Sequence, residues 1–244
     1  DNCSVSLSAD VTSFTAADLG ANTVTLTVTD PSGNTAVCTA VVTVQDNIAP
    51  IVVCQDFTVA LDATGNATIV AGDIDNGSSD NDSVASLSLD TSSFTCADLG
   101  TNTVILTVTD PSGNSSTCTA TVTVEDNINP TAVGQDITVQ LDATGNATIT
   151  TADIDNGSSD NCGAPTLGLD VASFGCADVG PNTVTLTATD GSGNSDSTTA
   201  TVTVEDNIDP TAVCQDITIQ LDASGNASIV AGDIDNGSSD NCSV

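Results

Sequence analysis

Residues Thr103–Val124 read TVILTVTDPSGNSSTCTATVTV, and this stretch decides the fold. Apolar residues alternate with Thr on the way in and on the way out, Val122 and Val124 against Thr121 and Thr123. The same alternation recurs at Val24, Leu26 and Val28 against Thr23, Thr25 and Thr27. A period of two places one apolar face on a core and one Thr face in water, which is a half-buried strand. Between the arms stands PSGN, Pro111–Asn114, a turn by composition, so the stretch predicts a hairpin of Thr103–Thr109 and Thr117–Val124.

Working outward, the hairpin returns at a fixed interval. Asp30, Asp110 and Asp190 are spaced by 80, as are Phe14, Phe94 and Phe174, and Gly20, Gly100 and Gly180. Each unit runs from D-N-I-x-P through QDxTVxLDATGNATI and DIDNGSSDN to the hairpin. Several short strands per unit, joined by Asp-, Asn-, Gly- and Ser-rich turns, predict an all-β chain of tandem immunoglobulin-like antiparallel β-sandwiches forming an extended rod. Pro50, Pro130 and Pro210 cannot donate to a ladder and mark the boundaries. The division is 1–48 partial, 49–128 and 129–208 whole, and 209–244 partial. In each whole repeat a strand near Val52–Leu61 is expected to turn at ATGN, Ala63–Asn66, and to return along Ala67–Ile74. DNCSV stands at both ends, Asp1–Val5 and Asp240–Val244, which reads as a window cut from a longer secreted protein.

The chain carries 33 Asp and Glu and no Lys, Arg or His, a formal net charge of -33. Without a basic side chain it cannot neutralise phosphates, so nucleic acid and anionic membrane surfaces are excluded as partners. Tyr, Trp and Met are also absent. The usual general bases, Schiff-base amines and stacking rings are therefore missing, and Ser and Thr have no base to activate them, so the expectation is no enzyme. No apolar run approaches the roughly 18 residues that span a bilayer. The partners of such a chain should be cations.

Three acidic segments per repeat are expected at one pole. Around the second repeat they are Asp46 and Asn47 in the linker, Asp73, Asp75 and Asp80 in the long loop, and Asp110 and Asn114 in the hairpin turn. Their counterparts are Asp126, Asn127, Asp153, Asp155, Asp160, Asp190 and Asn194, then Asp206, Asn207, Asp233, Asp235 and Asp240. Two carboxylates about 5 Å apart repel by roughly 3 kcal/mol at an effective dielectric near 20. Convergence therefore needs a cation, and Ca²⁺ accepts six to eight oxygens in flexible geometry. Asp73–Gly77 is similar to the front half of an EF-hand loop but lacks its terminal Glu and helices. Asp56, Asp62 and Asp90 are read as solubilising charge only. A plain reading of every such loop as a solvated turn competes with the calcium reading.

The nine cysteines fall at four phases of the repeat. Their recurrence without metal-ligand spacing points to disulfides and an oxidising compartment. Cys54 and Cys118 occur together in one whole repeat, and Gly134 and Thr198 replace both in the next. That suggests Cys54 with Cys118, and leaves Cys162 to pair with Cys176. On this scheme Cys3 and Cys96 lack partners, and Cys38, Cys214 and Cys242 pair beyond the window. A rival scheme joins neighbours along the chain: Cys38 with Cys54, Cys96 with Cys118, Cys162 with Cys176 and Cys214 with Cys242. Phe14, Phe94 and Phe174 are read as core plugs, and the outward Thr rows and N-x-S/T sequons as composition.

DNIxP followed by CQDITVQLD, DNGSSDNC, NTVTLTVTDPSGN and TCTATVTVED resembles hyalin-repeat (HYR-type) domains over the entire chain, most of all the tandem copies in giant cell-surface adhesins of Bacteroidetes. The resemblance implies an immunoglobulin-like fold, export to the cell surface and a role in adhesion, often by the type IX secretion route. The linker at Asp46–Pro50 and Asp126–Pro130 is similar to cadherin linkers, where calcium stiffens the junction. Asp126 and Asn127 match that pattern, whose second acidic residue occurs here only at Asp209.

Together these readings predict the structural stalk or filament of an extracellular calcium-stabilised adhesin. Its expected partners are calcium ions and neighbouring repeats, with lateral self-association or surface glycans as further candidates. The alternatives are a ligand- or glycan-binding adhesion module and an accessory domain of a secreted enzyme.

Overall fold

The structure, a computed structural model, describes residues 4–242. The chain is all-β and divides into two compact units, one of residues up to Leu61 with Asn66–Glu125, the other of Asp62–Gly65 with the residues from Asp126 on.

In the first unit the deciding hairpin is longer than its alternation suggests. Gly100–Thr109 pairs antiparallel with Ser115–Glu125, from Gly100 opposite Val124 to Thr109 opposite Ser115. The turn closes because Asp110 N–H donates to the Asn114 carbonyl and Gly113 N–H to the Asp110 carbonyl. Gly113 takes a φ of 92° there, a value that costs a residue with a Cβ far more than glycine. Val104, Leu106, Val108 and Val122 point inward and are fully buried. Ser86–Leu89 adds antiparallel to one edge of the hairpin, and Phe57–Ala60 adds parallel to the other with Phe57 opposite Val122. A two-stranded sheet, Asn66–Thr68 with Ser93–Thr95, sets Phe94 opposite Ala67. Phe94, Ile69, Ile74 and Leu61 close the core from that side, so the phenylalanine is a core plug. Ser6–Ala9, Gly20–Thr29 and Thr35–Val44 form a further antiparallel sheet in this unit.

The second unit repeats the plan. Gly180–Thr189 and Ser195–Glu205 form its hairpin, Thr166–Leu169 pairs antiparallel at one edge and Ile137–Gln140 parallel at the other. Asn146–Thr148 pairs with Ser173–Gly175. Its core is Leu141, Ile149, Ile154, Phe174, Val184, Leu186, Ala200, Val202 and Val204. Among the described residues no strand ladder crosses Pro50, Pro130 or Pro210. No helix there is long and apolar enough to cross a membrane.

The expected return strand along Ala67–Ile74 stops early. Ala71–Ile74 is a single helical turn. Val70 N–H donates to Asp73 Oδ2 at 2.8 Å, Asp73 N–H bonds back to the Val70 carbonyl, and this local exchange outcompetes a ladder. The expected strand near Val52–Leu61 is also shorter, Phe57–Ala60, preceded by isolated bridges of Ile51 to Ser79 and Cys54 to Asp75. Asp56 and Asp90 are more than solubilising charge. Asp56 Oδ1 accepts from Thr121 N–H and Asp90 Oδ1 from Ile105 N–H, each at 2.8 Å, which ties a strand edge to its neighbour. Asp62 Oδ1 likewise accepts from Thr64 N–H at 2.8 Å within its own turn.

Candidate metal centre

The structure brings together one aspartate from each of the three acidic segments. Asp46, Asp80 and Asp110 in the first unit, and Asp126, Asp160 and Asp190 in the second, place carboxylate oxygens within 4.8 Å of one another. Linker, long loop and hairpin turn each supply one member. The hairpin aspartate is fixed by its own turn: Asn114 N–H donates to Asp110 Oδ1 at 2.8 Å and Asn114 Nδ2 to Asp110 Oδ2 at 2.7 Å. The same Nδ2 reaches the Asp46 carbonyl at 3.1 Å and so ties turn to linker. In the second unit Asn194 Nδ2 joins Asp190 Oδ2 at 2.8 Å and the Asp126 carbonyl at 2.9 Å. Burial works to raise the Asp110 and Asp190 carboxyls, but the Asn114 and Asn194 side-chain amides and the N–H donors of each turn outweigh it and hold both below the ordinary carboxylate range. Both therefore stay ionised.

Each triad contains carboxylate oxygens that are buried and have no hydrogen-bond partner. They are Asp46 Oδ2 and Asp80 Oδ1 in one, and Asp126 Oδ2 and Asp160 Oδ1 in the other. Asp110 is 2% and Asp126 5% exposed. A buried anionic oxygen without a donor is costly, and the chain has no Lys, Arg or His to meet it. Such oxygens, several to a site and with no thiolate or imidazole among them, fit a hard divalent cation.

The first two aspartates of each long loop are engaged elsewhere. Asp73, Asp153 and Asp233 cap helical turns, accepting from Val70 N–H at 2.8 Å, Thr150 N–H at 2.7 Å and Val230 N–H at 2.9 Å. Asp75, Asp155 and Asp235 close the next turn by accepting from Ser78, Ser158 and Ser238 N–H at 3.1, 3.0 and 3.0 Å. The serine side chains and N–H groups hold these three below the usual range. Asn47 lines a cleft beside Asp46. Asn127 makes a contact of its own. Asn207 donates to Gln140 Oε1 and to Glu205 Oε2. Asp206 and Asp240 are linked through Asn241, whose Nδ2 donates to Asp206 Oδ1 at 3.0 Å, and Asp240 Oδ1 is again buried without a partner.

The disulfides keep one expected pair and correct the other. Cys54 is joined to Cys118, and Cys176 to Cys242 rather than to Cys162. Cys96, left alone by the first scheme, and Cys162 are both disulfide-bonded. Of the chain-neighbour scheme, Cys38 is a free thiol, as is Cys214, so neither joins Cys54 or Cys242. Cys3 lies outside the described residues. The physical reason is that the hydrophobic face next to Cys176 accepts Cys242, which packs with it against the core of the repeat before. A signal for this pair exists in the sequence. Cys176 and Cys242 are 66 residues apart, and the same two phases in the first unit hold Ala16 and Asp82, both cysteines lost together.

Fold and site define a tandem β-sandwich chain with buried acidic triads. No protein-family model matches it. Among solved structures it is similar to extracellular cadherin domains 1–4 of protocadherin gamma B7, at 13% identity and a TM-score of 0.35, over 82% of this chain and 62% of that chain. It is also similar to titin domains I67–I69, at 10% identity and a TM-score of 0.39 over 76% of this chain and 75% of that chain. A third likeness is to Sidekick-1 immunoglobulin domains 1–4, at 12% identity and a TM-score of 0.38 over 79% of this chain and 60% of that chain. The chain thus spans less than two thirds of the protocadherin chain.

Proposed function

We propose that this chain is a segment of the structural stalk of an extracellular adhesin of hyalin-repeat type, stabilised by Ca²⁺ at Asp46–Asp80–Asp110 and Asp126–Asp160–Asp190. The observation that carries the reading is the pair of buried, partnerless oxygens Asp126 Oδ2 and Asp160 Oδ1 in a chain with no basic side chain. Bound calcium would supply the positive charge and the coordination those oxygens lack. Asp126 would fix the linker, Asp160 the long loop and Asp190 the hairpin turn to one ion. Small cores need such staples, and the disulfides act in the same sense in an oxidising compartment. The sequence resemblance supports export and an adhesive role, and the neighbouring repeats are then the immediate partners.

Calcium titration by calorimetry, with thermal melting in Ca²⁺ and in EDTA, tests the reading. Calcium at a hundredfold excess over its Kd should stabilise the chain by about 2.7 kcal/mol per site. Asp126→Asn should remove one class of sites and leave the other. Equal melting in Ca²⁺ and EDTA would sink the proposal.

A further inference from the structure

The two triads are built alike but tethered differently. In the second unit Cys162 N–H donates to Asp160 Oδ2 at 2.9 Å and so occupies that oxygen, while Asp160 Oδ1 is buried and partnerless. Cys162 is itself disulfide-bonded. The next loop repeats the motif: Cys242 N–H donates to Asp240 Oδ2 at 3.3 Å, and Cys242 is bonded to Cys176. Asn241 between them reaches the Asp142 carbonyl at 3.3 Å as well as Asp206. In the first unit Asp82 N–H makes the same bond to Asp80 Oδ2 at 3.0 Å, but Asp82 carries no sulfur. Ala16 stands at the phase of Cys176, beside a cleft of about 330 Å³ whose lining includes Ala16, Leu19, Asp46 and Asn81.

We propose that the cysteine two residues after the loop aspartate is a positioning residue for the cation site, so that the chain holds one disulfide-tied site, Asp126–Asp160–Asp190, and one untied site, Asp46–Asp80–Asp110. This rests on the calcium reading above. In the absence of an ion the like charges of a triad push its three segments apart. A loop free to yield must be ordered again on binding, whereas a loop held by a sulfur bridge is already in place. The nearly buried Asp126, with its partnerless Oδ2, is the fixed side against which Asp160 must be held. The tie also makes the site redox-responsive. A dithiol reductant gives up two electrons and two protons, the S–S bond at Cys162 breaks, two thiols form and the dithiol becomes a disulfide. By linkage, bound cation protects that bridge by the same factor by which the bridge favours the cation.

The test uses the full chain with one triad disabled at a time. In an Asp80→Asn background only the tied site remains, and adding Cys162→Ser should weaken its Ca²⁺ affinity by about tenfold. In an Asp160→Asn background only the untied site remains, and Ala16→Cys with Asp82→Cys should form a bridge and bind Ca²⁺ about tenfold tighter than Ala16→Ser with Asp82→Ser. The second comparison gains affinity, so misfolding of Cys162→Ser cannot mimic it. Unchanged affinity in the second comparison, with the new bridge verified by mass, overturns the proposal. Absence of Ca²⁺ binding in both oxidised single-site backgrounds overturns the calcium reading itself.

Discussion

The Cβ that Gly134 lacks would stand 3.1 Å from Cγ2 of Thr198. These two residues occupy the phases of Cys54 and Cys118, which are bonded in the first unit across 64 residues. The second unit has kept the juxtaposition and lost the bond, with the threonine methyl filling the space a sulfur would take. Gly134→Cys with Thr198→Cys should therefore oxidise spontaneously and stabilise the second unit by roughly 4 kcal/mol, the loop-closure value for a ring of this size. Thiol counting and denaturant midpoints with and without reductant measure it. Two free thiols after air oxidation would count against the shared geometry.

Gly145 faces a different constraint. Its φ is 73°, and a Cβ there would lie 2.6 Å from the Asn241 carbonyl oxygen and 2.6 Å from Cys176 Sγ. Gly225 has a φ of 78° with nothing within 4 Å of the same position. Gly225→Ala should cost only the backbone term, about 1 kcal/mol. Gly145→Ala should cost about 1–3 kcal/mol more, because a backbone carbonyl and a disulfide sulfur cannot both retreat. Hydrogen exchange at residues 239–242 should quicken in Gly145→Ala and not in Gly225→Ala.

The hairpin was legible in the sequence because period-two alternation of Val or Leu with Thr is a direct record of one buried and one wet face. Cys54 with Cys118 was legible from joint presence and joint absence within a repeat. Cys176 with Cys242 is legible only across a repeat boundary, where Ala16 and Asp82 lack both cysteines together, because its two positions belong to successive repeats. The three segments of each triad were legible, and with them the linker and hairpin aspartates, but not which aspartate of the long loop joins them. Asp73, Asp75 and Asp80 share one loop and look equivalent in sequence. A four-residue helical turn, too short for any periodicity, takes Asp73 for its cap and leaves Asp80 with a buried oxygen.

Core burial predicts a graded response along one strand pattern. Leu106 is fully buried, whereas Leu26, its counterpart 80 residues earlier, is only half-buried. Leu106→Ala should cost about 2–5 kcal/mol, as large-to-small core changes do. Leu26→Ala should cost about half of that, because less apolar area leaves water at that site on folding. Chemical denaturation in EDTA, to remove any ion, gives both values. Equal losses would show that the two sheets are equally packed.

Acid should act through aspartates that hold strands together as well as through any ion. Asp170 Oδ1 accepts from Thr185 N–H at 2.8 Å, and that backbone bond, helped by the Thr185 hydroxyl, holds the carboxyl below its ordinary value. Asp10 is lowered by the equivalent bond to Thr25. A carboxyl whose pKa is lower folded than unfolded binds fewer protons in the native state, so stability rises with pH wherever the unfolded chain still holds the proton. The contribution is complete above the unfolded value near 3.9 and is lost as pH falls through the lower folded value. Asp170→Asn keeps an acceptor but not the charge. The variant should be less stable than the parent at pH 6, and the gap should narrow as pH falls through the parent's lowered folded value, where its carboxyl becomes neutral too. Urea midpoints of the two proteins in EDTA from pH 6 to pH 2.5 decide the matter. A gap that persists undiminished at the acid end would mean that the aspartate acts by shape and not by charge.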